Sequence, residues 1–284
     1  MSSRIELTRV RQTFLVRGDE DRALREFVAL DDLDLVVEAG EFLTIVGPSG
    51  CGKSTVLDLI GGLATPTSGR LTADGVPITG PGLDRSVVFQ QYTLLPWRTA
   101  QANVELALEA SGGLTRRERS DRAREYLDLV GLSDFAGRFP HELSGGMKQR
   151  VAIARSLSHQ PQVLLMDEPF GALDAQTRER LQEELLSIWR RTGTTVVFIT
   201  HDIDEAVFLG QRVAVMSARP GRIQEVVRIE LDQDRAGEED LRSSRRFAAY
   251  RHHIWSLLRQ QQLGAGATGG PRTGHDEERE LSHV

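Results

Sequence analysis

The sequence lacks several features that would point to particular classes of protein. It has one cysteine, Cys51, so no disulfide can form within the chain and no cysteine-rich metal site can be built. No apolar run approaches the roughly 18 residues that a membrane-spanning helix needs, and the first residues carry no apolar stretch typical of a secretory signal. These absences predict a protein that stays in the cytoplasm.

Positive charge is not in excess either. The 35 lysines and arginines are outnumbered by 41 acidic residues, which gives a formal net charge of −6 and a pI near 5.7. This balance argues against broad electrostatic attraction to nucleic acid, although a local basic patch would survive the average. With 284 residues, 39% of them hydrophobic, the chain can bury the core of one large domain or two smaller ones.

Apolar periodicity divides the chain into strand-rich and helical segments. Residues 4–46 predict strands, interrupted at 15–27 by a densely charged stretch that we interpret as an exposed hairpin extension, with a partner contact as the alternative. Residues 97–159 predict helices, and one helical face is marked by Ala123, Tyr126, Leu127 and Val130. The apolar runs VLLMDEP and TTVVFITHD then predict strands covered on both faces of a parallel sheet.

Two further segments follow this predicted sheet. A helix at about 240–263 carries an apolar stripe that we expect to pack on the chain's own core, formed by Phe247, Tyr250, Ile254 and Leu258. Residues 264–284 are glycine-rich and polar, which predicts a disordered tail. We therefore expect one α/β domain over residues 1–263, with a helical subdomain inserted at about 97–159.

The strongest chemical signal is the run GPSGCGKST, which matches the phosphate-binding pattern G-x-x-x-x-G-K-[ST] between a strand, FLTIV, and a helix, TVLDLI. Glycines let backbone N–H groups and the helix N-terminus point at phosphate oxygens. Lys53 can reach the β- and γ-phosphates, and the Ser54 hydroxyl suits Mg²⁺. The predicted nucleotide-binding residues here are Gly47, Pro48, Ser49, Gly50, Cys51, Gly52, Lys53, Ser54 and Thr55.

Cys51 needs only to be small at its place in this loop, so we interpret it as a space-filler. The nearby helix N-terminus should nevertheless favour its thiolate. The sequence therefore also predicts that alkylation of Cys51 blocks nucleotide binding and that ATP protects the thiol.

Polar residues stand at the ends of the later strands. Asp167 and Glu168 follow VLLM, and acids at such a strand end emerge where ligands of open α/β folds bind. Asp167 can hold Mg²⁺ through its water shell, and Glu168 can orient the attacking water. His201 and Gln90 also follow apolar runs, but alone they are weak signals, since such residues often only pack or face water.

A second segment, LSGGMKQR, also has the glycines and hydroxyl typical of a phosphate-binding loop. With it, the candidate functional residues of the chain form one ordered set. In chain order the set is Gly47–Thr55, Gln90, Leu143–Gln149, Asp167, Glu168, Gly171–Asp174 and His201. This order and spacing resemble the nucleotide-binding subunit of ATP-binding-cassette (ABC) transporters over about residues 5–225. The LSGG(M/Q)xQR signature is highly specific to that family, whereas many NTPases share the phosphate loop.

The resemblance implies an α/β fold of the P-loop NTPase (RecA-like) kind, with a parallel or mixed sheet core, an N-terminal antiparallel β subdomain and an inserted α-helical subdomain. It implies a head-to-tail dimer, either of two copies or with a second cassette, in which the signature of one subunit covers the ATP held by the other. The residues that would make this contact are Ser144, Gly145 and Gly146. Asp174 would belong to the loop that couples the two sites.

The resemblance also implies roles in the hydrolysis of ATP. Glu168, His201, Lys53 and Gln90 would be the catalytic set, and Ser54, Gln90 and Asp167 would hold Mg²⁺. An aromatic side chain near the N-terminus stacks on adenine in this family. Phe14 is the best match and Phe27 is a rival, while burial in the core is the alternative for both.

The segments FQQYTLLPWRTAQANVELAL and ARPGRIQEV narrow the likeness to importers of nitrate, sulfonates, taurine and related small solutes. That implies ATP hydrolysis coupled to uptake through two transmembrane permease subunits, supplied by a solute-binding protein, at the cytoplasmic face of the inner membrane and without nucleic acid. The permease and the binding protein would choose the solute. A soluble cassette ATPase acting on DNA or ribosomes is the runner-up, and a P-loop kinase for a small metabolite would leave LSGGMKQR unexplained.

Overall fold

A computed structural model describes residues 2–17, 24–231 and 241–266. The strands are β1 Ile5–Arg17, β2 Leu24–Val37, β3 Phe42–Val46, β4 Ser68–Ala73, β5 Val76–Pro77, β6 Arg85–Val88, β7 Val163–Asp167, β8 Thr195–Thr200, β9 Arg212–Met216 and β10 Ile223–Arg228. The α-helices are α1 Lys53–Gly61, α2 Ala100–Ser111, α3 Arg116–Leu129, α4 Gly145–Ser158, α5 Ala175–Thr192, α6 Ile203–Leu209 and α7 Arg245–Gly266.

The central sheet has six strands in the order β10-β9-β3-β8-β7-β6, and all neighbours are parallel except the β10–β9 pair. Its inner strands are buried on both faces, as the unbroken apolar runs predict. Alternate residues of β7 enter different cores: Leu164 and Met166 join a cluster with α2–α7, while Val163 and Leu165 join a cluster with α1 and β1–β2. The sheet therefore separates two hydrophobic cores: the first core contains α2–α7, and the second core contains α1, β1 and β2.

A second, antiparallel sheet has the order β2-β1-β4-β5, which confirms the predicted mixed α/β class with an antiparallel β part near the N-terminus. The long β1–β2 hairpin continues past the core to the pair Arg17 and Leu24. Leu15 is 71% exposed and Leu24 63% exposed there, so the described part of the charged stretch is an exposed hairpin extension. The hairpin tip, residues 18–23, lies outside the described residues.

Helices α2, α3 and α4 pack on one another between β6 and β7 in the chain. Helix α3 begins with a capping box, in which the hydroxyl of Thr115 accepts from the N–H of Glu118 and the Glu118 carboxylate accepts from the N–H of Thr115. Its predicted apolar stripe is confirmed, because all of its members are buried: Ala123, Tyr126, Leu127 and Val130.

Helix α7 packs on α6 and β9. Phe247 and Ile254 are fully buried in the first core, while Tyr250 and Leu258 are partly buried against it, so the predicted stripe packs on the chain's own core. The helix begins at Arg245 and ends at Gly266, later at both ends than predicted. The rest of the predicted tail, residues 267–284, lies outside the described residues. Among the helices that are described, none is long and apolar enough to cross a membrane.

Candidate functional site

The phosphate-loop segment connects the end of β3 to the start of α1. Gly50 and Gly52 have left-handed φ values of 71° and 101°, and a Cβ added to Gly52 would lie 2.7 Å from Cδ2 of Leu30. Glycine is therefore required by both conformation and space. The described chain supplies no side-chain cap to α1, so its first N–H groups remain available to an anion. Ser49 is exposed at the tip of the loop. This backbone cradle fits the phosphates of a nucleotide.

Lys53 places a cation against the same loop. Its Nζ donates to the carbonyl oxygen of Gly47 at 2.9 Å and to that of Pro48 at 3.1 Å, and the side chain is buried. Thr55 follows on the first turn of α1 and is half-buried. A charge held this close to the exposed N–H groups adds to the attraction of the helix N-terminus for phosphate.

Cys51 corrects one of the predictions above. The residue is 1% exposed and belongs to the second core, and this burial raises the pKa of its thiol despite the nearby charges of Lys53 and Arg219. Desolvation outweighs the charges and backbone N–H groups that favour the thiolate, so the predicted preference for a thiolate is wrong. The position of the side chain agrees with a space-filling role.

Ser54 and Asp167 come together at the carboxyl end of β7. The side chain of Ser54 lies close enough to the Asp167 carboxylate to act on its pKa. Burial raises the pKa of Asp167 and the neighbouring Glu168 adds to the rise, while the Ser54 hydroxyl opposes it. A hydroxyl and a carboxylate at one point are the oxygen donors that Mg²⁺ prefers, so these two residues fit the ion.

Glu168 and His201 form a pair at the ends of β7 and β8. The Nδ1 atom of His201 lies 2.9 Å from Oε2 of Glu168, and the Glu168 N–H donates to the carbonyl oxygen of Ile199 at 2.9 Å. Glu168 has a φ of 43°, a left-handed conformation that costs a non-glycine residue about 1–3 kcal/mol. Strained residues of this kind cluster at active sites, which agrees with the predicted catalytic role of Glu168.

Gln90 follows β6 and lies beside the loop that leaves Glu168. A Cβ added to Gly171 would lie 3.5 Å from Nε2 of Gln90. Farther along this loop, Asp174 caps α5 by accepting from the N–H of Thr177 at 3.0 Å. The same hydrogen bond lowers the pKa of Asp174, so this carboxylate is charged at neutral pH.

The signature segment forms the start of α4. Ser144 is the exposed N-cap, and its Oγ accepts from the N–H of Met147 at 3.3 Å. A Cβ added to Gly146 would lie 2.8 Å from Cγ2 of Thr177, and one added to Gly145 would lie 3.2 Å from Cδ2 of Leu173. Both glycines thus let α4 approach the start of α5. Within the described chain, no hydrogen bond or ion pair joins Ser144–Gly146 to the phosphate loop.

Phe14 and Phe27 are direct cross-strand partners on β1 and β2, so the two rival aromatics share one face of the hairpin. The Phe14 ring is 42% exposed. Phe27 is half-buried, and the Arg219 guanidinium carbon lies 5.1 Å above its ring centroid.

Arg219 also contacts the phosphate loop, which the sequence did not reveal. Its Nε donates to the carbonyl oxygen of Gly50 at 2.7 Å, and a Cβ on Gly50 would collide with the guanidinium. The two residues are 169 positions apart, and the run ARPGRIQEV carried only a family likeness. No spacing rule links such distant segments.

A phosphate loop between strand and helix, with acids and a histidine at neighbouring strand ends, defines a P-loop NTPase. Comparison with known proteins narrows this class. The sequence model of a family described as ABC transporter matches residues 30–171. Together with the relatives described next, this match shows that the chain belongs to the ABC transporter family, as an ATP-binding and ATP-hydrolysing cassette.

Several known proteins are similar to this chain over most of their own length. The chain is 52% identical over 235 residues to an uncharacterized ABC transporter ATP-binding protein of Methanocaldococcus jannaschii, covering 83% of this chain and 86% of that one. It is 52% identical over 239 residues to the nitrate import ATP-binding protein NrtD of Synechocystis sp., covering 83% and 90%. With the taurine import ATP-binding protein TauB of Rhizobium johnstonii, the identity is 51% over 235 residues, covering 81% and 88%.

A solved structure supports the fold. The dimeric, post-hydrolysis state of the ATP-binding cassette MJ0796, bound to ADP and Pi, has a TM-score of 0.68 and 36% sequence identity to this chain. The match covers 80% of this chain and 99% of that one. The predicted P-loop NTPase fold is thereby confirmed.

Proposed function

We propose that this chain hydrolyses ATP as one of two cassettes that drive uptake of a small solute through partner permease subunits. One observation carries the proposal. The chain has two helix N-termini suited to binding phosphate, at α1 and at α4, together with the Glu168–His201 pair at the sheet edge. One nucleotide in one chain needs only the first. The second has a use when another subunit presents its own nucleotide.

Hydrolysis would proceed by in-line attack of water on the γ-phosphorus, so most of the rate comes from positioning and from charge. The Glu168 carboxylate orients the water and accepts its proton, and His201 holds that carboxylate through the 2.9 Å contact and reaches the γ-phosphate. Lys53 offsets negative charge on the β- and γ-phosphates. Mg²⁺, held by Ser54, Asp167 and Gln90, would supply further charge neutralisation.

The adenine end of the nucleotide would lie against the β1–β2 hairpin. Phe14 is the better stacking partner because its ring is exposed, whereas the Arg219 guanidinium already covers Phe27. Arg219 joins this hairpin to Gly50 of the phosphate loop. Arg219 would thus connect the adenine end of the site to its phosphate end.

The partner subunit would supply the remaining contacts. Ser144, Gly145 and Gly146 begin a 14-residue helix whose first N–H groups can meet the γ-phosphate in trans. Asp174 lies next to this contact, because Leu173 and Thr177 on either side of it pack on the signature glycines. ATP would therefore hold two subunits together, and hydrolysis would release them.

The nitrate and taurine import relatives support an importer for a small anion or a sulfonate. Two permease subunits and a solute-binding protein outside the membrane would complete the proposed system. The chain would then lie at the cytoplasmic side of the membrane through its contact with the permease. Co-purification of the chain with a transmembrane permease tests this assembly. Recovery with DNA or ribosomes instead of a permease would contradict it.

Ser144→Arg tests the contact in trans. A bulky cation at the N-cap blocks the approach of a second nucleotide-loaded subunit while the phosphate loop of the same chain stays intact. We expect ATP to bind with an affinity within about threefold of wild type and ATP-dependent dimerisation to be lost. Intact dimerisation with cooperative ATPase activity in this variant would show that the signature does not act in trans.

A further inference from the structure

Arg178 lies on the first turn of α5 and connects two loops of the site. Its Nη2 donates to the carbonyl oxygen of Leu173 at 3.1 Å, and its Nη1 lies 3.5 Å from Oδ2 of Asp202. The third N–H position, Nε, is buried without a hydrogen-bond partner in the described chain. The guanidinium is thus held between the two loops and not merely solvated on the helix surface.

One end of this connection reaches the hydrolysis site. Asp202 directly follows His201, and its Oδ1 caps α6 by accepting from the N–H groups of Asp204 and Glu205 at 2.9 and 3.2 Å. The Asp202 N–H donates to Oγ1 of Thr200 at 3.0 Å. These bonds tie Asp202 to Thr200 and to the start of α6. A displacement of Arg178 that moves Asp202 would therefore also move the segment that carries His201.

The other end reaches the signature. The Leu173 side chain is buried and packs on Gly145, and Thr177, one residue before Arg178, packs on Gly146. These contacts are close enough that an added methyl group would collide at Gly146. A shift at the start of α4 would therefore move the Leu173 carbonyl that Arg178 holds.

We infer that Arg178 is a positioning residue that couples the signature of each subunit to the Glu168–His201 pair of the same subunit. The inference rests on the proposed function, in which the signature contacts the partner's ATP while Glu168 acts on ATP in its own phosphate loop. Engagement of the partner's nucleotide would move Leu173, and Arg178 would carry that movement to Asp202 and His201. Each subunit would then hydrolyse its ATP only when the opposite site is also filled.

Arginine suits this role because its planar guanidinium offers several N–H groups at fixed spacing, whereas the lysine ammonium is a point charge on a flexible stem. A lysine could keep the attraction to Asp202 or the hydrogen bond to Leu173, but not both in the same geometry. Arg178→Lys therefore distinguishes a bridging role from a role of charge alone.

The test compares Arg178→Met and Arg178→Lys with Arg180→Met in the full-length protein. Arg180 is the matched control because it lies on the same helix, is 72% exposed and pairs within α5, with Glu184 at 3.1 Å. We expect Arg178→Met to lower kcat about tenfold or more and to bring the Hill coefficient for ATP towards 1, with ATP affinity within about threefold of wild type. Arg178→Lys should recover only part of this loss, and the control should behave as wild type.

A double-mutant cycle with Asp202→Asn separates coupling from folding. Asparagine retains the N-cap of α6 but loses the ionic contact. If Arg178 acts through its contact with Asp202, the double variant should turn over no more slowly than the slower single variant. Thermal melts should show folded protein for all variants. Strictly additive losses, or a loss in Arg178→Met that disappears when rates are corrected for the folded fraction, would overturn the inference.

The wild-type protein and Ser144→Arg distinguish this inference from the proposed function. If the wild type does not hydrolyse ATP cooperatively, or if Ser144→Arg leaves cooperativity unchanged, the proposed function fails and the inference falls with it. If Ser144→Arg abolishes cooperativity while Arg178→Met and Asp202→Asn retain it, only the role of Arg178 is refuted.

Discussion

Replacing Glu168 with glutamine removes the carboxylate that we place beside the attacking water and leaves its surroundings in place. Glutamine has nearly the same volume, meets the same left-handed φ of 43°, and its amide can still bond to Nδ1 of His201. What is lost is the base, and general-base catalysis contributes about 10²–10⁴-fold. At 1.36 kcal/mol for each tenfold, the transition state loses about 3–5 kcal/mol of stabilisation. We expect kcat to fall by that factor while ATP still binds.

The assay is phosphate release by the purified protein, together with nucleotide binding and size-exclusion chromatography in ATP. Glu168→Gln should accumulate a dimer that holds two ATP molecules, because closure no longer leads to hydrolysis. Glu168→Asp is the matched variant, since it keeps the charge but withdraws the carboxylate by one methylene. Turnover of Glu168→Gln within about threefold of wild type would remove Glu168 as the base. Loss of ATP binding would show instead that the residue holds the nucleotide.

Three further changes test the structure around the site. Glu41→Gln should cost about 2–3 kcal/mol in urea unfolding, because the buried Glu41 carboxylate binds the Arg212 guanidinium at 2.5 and 2.7 Å and the arginine is only partly exposed. Gly52→Ala should cost about 2–3 kcal/mol, against about 1 kcal/mol for Gly75→Ala, which is also left-handed but faces open space. Glu205→Gln should leave the protein at least as stable as wild type at pH 7, because burial raises the pKa of Glu205.

The sign of the Glu205 effect follows from proton linkage. Because the pKa of Glu205 is raised on folding, the folded protein binds more protons than the unfolded chain. Wild-type stability therefore falls as the pH rises from the pKa of Glu205 in the unfolded chain to its pKa in the folded protein. The advantage of Glu205→Gln should therefore grow with pH and vanish at low pH, where both forms are neutral. Thermal melts that show the opposite trend would contradict it. Equal costs at Gly52 and Gly75 would refute the claim of close packing at Leu30.

The positions of several site residues at the sheet edge could be predicted from sequence, because side chains along a strand alternate between its two faces. Along β7, Val163 and Leu165 face the core that contains α1, so Asp167 belongs on that same face, next to the phosphate loop. The effect of the Ser54 hydroxyl on the pKa of Asp167 agrees with this position. The apolar stripe of α3 could be predicted for the corresponding reason, since a helix repeats every 3.6 residues.

The rest depends on contacts between distant parts of the chain. Arg219 meets Gly50 and Arg178 meets Asp202 only because the sheet brings their loops to one edge. The thiol pKa of Cys51 was mispredicted for a related reason: the field of a helix N-terminus can be inferred from local sequence, but the depth of burial cannot. Desolvation is set by β1, β2 and α1 packing together, and in this loop it is the larger effect.

The positions of the two cores explain why one chain carries two helix N-termini suited to binding phosphate. Helix α1, with the phosphate loop, packs in the core on one face of the central sheet, while α4, with the signature, packs in the core on the other face with α2 and α3. The sheet therefore lies between the elements that carry the two loops. A movement large enough to bring both to one nucleotide within a chain would have to break buried packing, at a cost of several kcal/mol. A second subunit can present its signature without any such cost, and this asymmetry is the physical argument for ATP bound between two chains.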